Sequence, residues 1–61
     1  MEITKEKFLA YTALAEDGIN MFDVSKVKRL SKEMYKVNLE FEETIEIMDN
    51  YNEYYKKFIK I

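Results

Sequence analysis

Only one glycine, Gly18, and no proline interrupt this chain of 61 residues. Sandwiches and barrels of β-strands need many turns, and turns draw on glycine and proline for backbone angles that other residues adopt poorly. A chain so poor in both is directed toward helices joined by short connections. Hydrophobic residues make up 48% of it and charged residues 36%, too much apolar content for a disordered segment. The length suits one small domain spanning residues 1–61. With neither cysteine nor histidine present, disulfides, zinc sites and catalysis by thiolate or imidazole are excluded. The carboxylates lack a ligand loop around a central glycine, so neither metal nor cofactor is expected, and an enzyme is not expected either.

Periodicity then predicts an all-α protein, a small three-helix bundle. Thr4 is placed to cap a first helix over residues 5–16, which stops where Gly18 supplies a left-handed residue. Its apolar stripe reads as Phe8, Tyr11 or Thr12, and Ala15, widened by Leu9 and Leu14. The connection that follows carries Ile19, Met21 and Phe22 and is expected to be buried. Asn20 reads as the cap of a second helix over 21–36, with Asp23 completing a capping box and Val24, Val27, Leu30, Ser31 and Met34 on its inner face. Val37, Asn38 and Leu39 break that pattern, with Asn38 as the cap or left-handed residue, and a long third helix is predicted over 40–60. Two apolar rows run side by side along it. One is Thr44, Ile47, Tyr51, Tyr54, Phe58 and Ile61; the other is Phe41, Ile45, Met48, Tyr55 and Ile59, interrupted by Asn52.

Two short neighbours leave too little surface to cover both rows, so the surplus predicts an interface. Tyr51, Tyr54, Tyr55 and Phe58 are the expected anchors, with the polar Asn50 beside them, because tyrosine combines a large contact area with a polar tip. A homodimer through the third helix is the simplest form of this expectation. It also suits a chain too short to bury much more than about 60% of its unfolded surface.

Charge is distributed unevenly around a net of −2. Residues 1–19 carry −2, residues 20–37 carry +3 and residues 38–61 carry −3. Lys26, Lys28, Arg29, Lys32 and Lys36 form a candidate face for nucleic acid or an acidic partner. Glu42, Glu46, Asp49 and Glu53 form a candidate face for a basic partner. The stretches from Val27 to Ser31 and from Thr44 to Met48 are similar to those of helix-turn-helix regulators, which makes a small DNA-binding protein the alternative reading. Against it, the supposed recognition helix opens with Glu40, Glu42 and Glu43, which repel phosphates. No apolar run reaches the roughly 18 residues of a membrane span. Glu2 and Glu6 also stand where a signal peptide is basic and apolar, so a cytosolic location is expected.

The pattern Phe8-x-x-Tyr11, then the run from Gly18 to Val24 followed by Val27, Leu30 and Ser31, then Glu43-x-x-x-Ile47-Met48-x-Asn50-Tyr51-x-x-Tyr54 resembles a family of very short proteins of phages and prophages from low-GC Gram-positive bacteria. The likeness spans most of the chain and departs from the family between Lys32 and Leu39, where a longer connection replaces a tight glycine-containing turn. It implies an accessory protein that binds a host protein, such as a defence, CRISPR or restriction component, and inhibits or redirects it in the host cytoplasm.

Overall fold

The computed structural model describes residues 2–59, which form four α-helices and no strand: α1 (Lys5–Glu16), α2 (Val24–Tyr35), α3 (Phe41–Asp49) and α4 (Tyr51–Phe58). The first helix begins and ends where the sequence places it. The Thr4 hydroxyl accepts the Lys7 amide at 3.3 Å. Ile3 and Phe8, on either side of that cap, are both buried in one cluster, the arrangement of a hydrophobic staple. At the other end Gly18 has φ +85°, Gly18 N donates to Ala15 O at 3.1 Å and Ile19 N to Leu14 O at 3.2 Å. Those two bonds satisfy carbonyls that the end of the helix would otherwise leave unpaired.

The inner stripe of α1 differs from the expected one. Phe8, Ala10, Tyr11 and Leu14 are buried, whereas Leu9 and Ala15 lie on the outside. The second helix starts three residues later than predicted. Asp23, not Asn20, is its cap, accepting the Lys26 amide at 3.3 Å. Asn20 accepts the amide of Phe22 at 3.1 Å and so holds a turn before the helix instead of the helix itself. That turn lets Ile19 and Met21 reach the core but turns Phe22 outward, 80% exposed. The connection expected to be buried is therefore buried only in part.

The left-handed residue ending α2 is Lys36, at φ 60° and ψ 29°, and not Asn38. Asn38 instead donates its side-chain amide to Glu40 Oε1 at 2.6 Å. Lys36 allows Val37 N to donate back to Ser31 O at 3.2 Å, and Leu39 then drops fully into the core. A left-handed backbone costs a residue with a Cβ roughly 1 kcal/mol. Lys36→Gly is thus expected to raise the unfolding free energy by about 0.5 kcal/mol, once the greater freedom of glycine in the unfolded chain is subtracted. The check is a higher urea midpoint at an unchanged m value.

The predicted third helix is two helices. Asn50, at φ −124° and ψ 34°, leaves the helical backbone, and its Nδ2 donates to Glu46 O at 3.3 Å. The bend lays Tyr51, Tyr54 and Phe58 of α4 over Phe8, with ring centroids 5.3, 6.3 and 5.8 Å away. Lys60 and Ile61, the end of the predicted helix and of its first row, lie outside the described residues. The fully buried side chains are Phe8, Leu14, Val27, Leu39 and Ile47 together with Ser31 and Thr44. The two hydroxyls donate to Lys28 O at 2.9 Å and Glu40 O at 3.1 Å, so burial leaves neither unpaired.

Candidate protein-binding surface

The two apolar rows read from the sequence differ in burial, with Met48 of the second row also packed against the core. Thr44 and Ile47 are buried and Tyr51, Tyr54 and Phe58 half-buried, so the first row is the inner face of α3 and α4. The second row lies on the outer flank: Phe41 is 55% exposed, Ile45 38%, Tyr55 40% and Ile59 40%, with Met48 half-buried among them. Large aliphatic and aromatic side chains lose about 25 cal/mol for each Å² left in water. A row of them along one flank is therefore an apolar surface this fold leaves for a partner, while Leu9, Phe22, Met34 and Tyr35 are exposed elsewhere.

The five interface residues proposed from sequence fall in three environments. Tyr51, Tyr54 and Phe58 are held by the core. Tyr54 and Phe58 are stacked at 6.1 Å with an interplanar angle of 6°, and the Tyr54 hydroxyl donates to Glu46 Oε2 at 2.7 Å. Tyr55 is exposed, its ring 6.1 Å from that of Tyr51. Asn50 is exposed at the bend, where its amide stabilises the break between α3 and α4. Phe41, Ile45 and Ile59, which share the flank of Tyr55, were legible as the second row but carry no polar tip to single them out.

Two concavities open on the surface, one beside the row and one away from it. One, of about 310 Å³, lies at the bend and is lined by Met48, Asp49, Asn50, Tyr51, Asn52 and Glu53. The other, of about 320 Å³, is an apolar groove between α1 and the end of α2, lined by Leu9, Ala10, Ala13, Tyr35 and Val37 with Glu6 at its edge. Tyr35 is fixed there by a hydrogen bond from its hydroxyl to Asp17 Oδ2 at 3.3 Å.

The charged faces are also placed. Lys26, Lys28, Arg29, Lys32 and Lys36 are all exposed, but Lys28 is drawn to Glu40, Nζ to Oε2 3.1 Å. Of the acidic row, Glu42, Asp49 and Glu53 are exposed, while Glu46 is half-buried under Tyr54. No group of three or more acidic side chains among the described residues is placed to hold a metal ion, and no described helix is long and apolar enough to cross a membrane.

Hydrogen bonding sets the titration of this surface. The bond to Glu46, followed by burial, raises the pKa of Tyr54 above its ordinary 10.0. Burial, followed by the neighbouring Tyr51, does the same for Tyr11. Glu40 is held below its ordinary 4.5 by the hydrogen bond from Asn38 and then by Lys28. A raised tyrosine contributes stability that is complete below 10.0 and disappears as pH climbs through its folded value. A lowered carboxylate contributes stability that is complete above 4.5 and disappears as pH falls through its folded value. The thermal midpoint is expected to decline on both the alkaline side of 10.0 and the acid side of 4.5. Tyr54→Phe should blunt the alkaline decline in a pH series of melts.

Comparison of the chain with protein-family models, with curated proteins and with solved structures finds no match. The functional reading therefore rests on the surface.

Proposed function

We propose that this protein is a small, non-catalytic binding domain that docks the outer flank of α3 and α4 onto another protein chain and thereby blocks or redirects it. The observation that carries the reading is the exposed row Phe41, Ile45, Tyr55 and Ile59, which runs beside the core-facing row of the same two helices. Interfaces draw their energy from a few buried aromatic and aliphatic anchors. In the setting that the phage resemblance implies, the partner is a host protein and the outcome is its inhibition. The absence of cysteine and histidine from the sequence supports a binding role over a catalytic one.

The alternative, nucleic-acid binding, draws on Lys26, Arg29, Lys32 and Lys36, which are exposed and form no ion pair among the described residues. Affinity capture from a nuclease-treated Gram-positive lysate distinguishes the two. The expected result is a stoichiometric protein recovered by the wild type and lost with Ile45→Ser or Tyr55→Ser, while the helical circular-dichroism signal is retained. Recovery of nucleic acid alone, lost on treatment with nuclease or salt and abolished by Lys26→Glu with Lys32→Glu, would replace this reading with the alternative.

A further inference from the structure

The outer flank has an internal order beyond being apolar. Phe41, Ile45 and Met48 on α3 and Asn52, Tyr55 and Ile59 on and just after α4 follow one another at alternating steps of four and three, the spacing of the seam between two packed helices, in two short arms that meet at the Asn50 bend. These positions are also symmetric about Asn50: Phe41 and Ile59 are equally far from it in sequence, as are Ile45 and Tyr55, and Met48 and Asn52. A segment with that symmetry places a row residue opposite every row residue when a second copy runs antiparallel to it. We infer that the occupant of this flank is a second copy of the chain, paired antiparallel about a two-fold axis near Asn50. The inference rests on the reading of the flank as a docking surface, and it seats a second copy there in place of a host protein.

Charge selects the antiparallel direction. α3 exposes Glu42 and Asp49, whereas α4 opens with exposed Glu53 and carries Lys56 and Lys57 in its last turn. Parallel pairing would bring like ends together, and antiparallel pairing brings opposite ends together. Glu42, Asp49 and Lys56 border the row on its solvent side at heptad spacing. In the antiparallel pair Glu42 of each copy meets Lys56 of the other, a contact made twice by symmetry. Both are exposed, and neither forms an ion pair among the described residues. Asp49 meets its own copy near the axis as the single repulsive contact. Asn52, opposite Met48 of the second copy, is the polar interruption that restricts register at a cost in affinity. The concavity at the bend, lined by Met48, Asn50 and Asn52, lies at that centre. A standard interface of about 800 Å² per partner would cover about a fifth of the 4250 Å² surface of the chain.

Sedimentation equilibrium on the full chain, from micromolar to millimolar concentration, tests this. The expected result is a dimer that Glu42→Lys or Lys56→Glu each weakens about tenfold and that the double exchange restores, since two symmetric attractions become repulsions. Asn52→Leu and Asp49→Asn should each tighten it, the former by about tenfold, and Ile45→Ser should leave monomers that remain helical. A monomer at every concentration overturns the inference, as does a dimer indifferent to both charge reversals. If the chain is monomeric yet captures a different protein through Ile45 and Tyr55, the docking reading stands and the self-pairing fails. If neither self-association nor any capture depends on those residues, both fail.

Discussion

Phe8→Ala is expected to remove much of the chain's stability and to lower its thermal midpoint steeply. Phe8 is fully buried and is the one side chain against which Tyr51, Tyr54 and Phe58 all pack. Truncating a buried phenylalanine costs about 3–5 kcal/mol through lost transfer energy and the remaining cavity. At 0.05–0.15 kcal/mol per residue, a domain of this length has roughly 3–9 kcal/mol in total. The loss is therefore between about a third and the whole of the stability. It should appear as a steep fall in the midpoint of the helical circular-dichroism melt, recovered on adding an osmolyte if the cause is thermodynamic. Phe22→Ala, at an 80% exposed position, is the control and should move the urea midpoint little. A chain that keeps its helices and its melt without Phe8 would show that α4 is not held by this contact.

Glu43 carries the second large effect. It is 8% exposed, and its two carboxylate oxygens have different tasks. Oε1 accepts the Glu40 amide at 3.0 Å, closing the first turn of α3, while Oε2 accepts from Lys7 Nζ and ties α3 to α1. Glu43→Ala removes both and leaves the Lys7 ammonium without its partner. The loss should be about 2 kcal/mol, below the figure for a fully buried pair because the Lys7 side chain is 27% accessible and can turn to water. Glu43→Gln, which keeps an acceptor for the Glu40 amide, should recover part of that loss. A double-mutant cycle with Lys7→Ala measures the ion pair alone, and a coupling near zero would assign the whole effect to the helix start.

Glu43 also marks where reading the sequence stops. Its place three residues after Glu40 is a local fact, and acids in a first turn are favoured by the helix dipole wherever the helix lies. Its link to Lys7 crosses 36 positions, and no local pattern contains it. The limits of α1 were legible because the Thr4 cap and the Gly18 stop act within one turn. The start of α2 was not, because Asn20 and Asp23 are both competent caps, and the choice follows from bringing Ile19 and Met21 to the core. The bend at Asn50 was hidden because apolar spacing continues through it unchanged. Packing of α4 onto Phe8, with the Asn50 amide bonded to Glu46 O, favours the break.

The same division holds for the candidate surface. Periodicity alone determined that α3 and α4 carry two apolar rows and that one would exceed what the neighbours can cover, because side-chain direction along a helix is fixed by its geometry. It also determined an all-helical chain, through the scarcity of glycine and proline, and the basic and acidic segments. Which row faces inward was decided by the tertiary structure. The tyrosines chemically suited to an interface are largely claimed by Phe8, and the flank left to solvent is Phe41, Ile45, Tyr55 and Ile59. Local sequence sets the angle between the rows, but only contacts between residues far apart in the chain decide which of them is lost to the core.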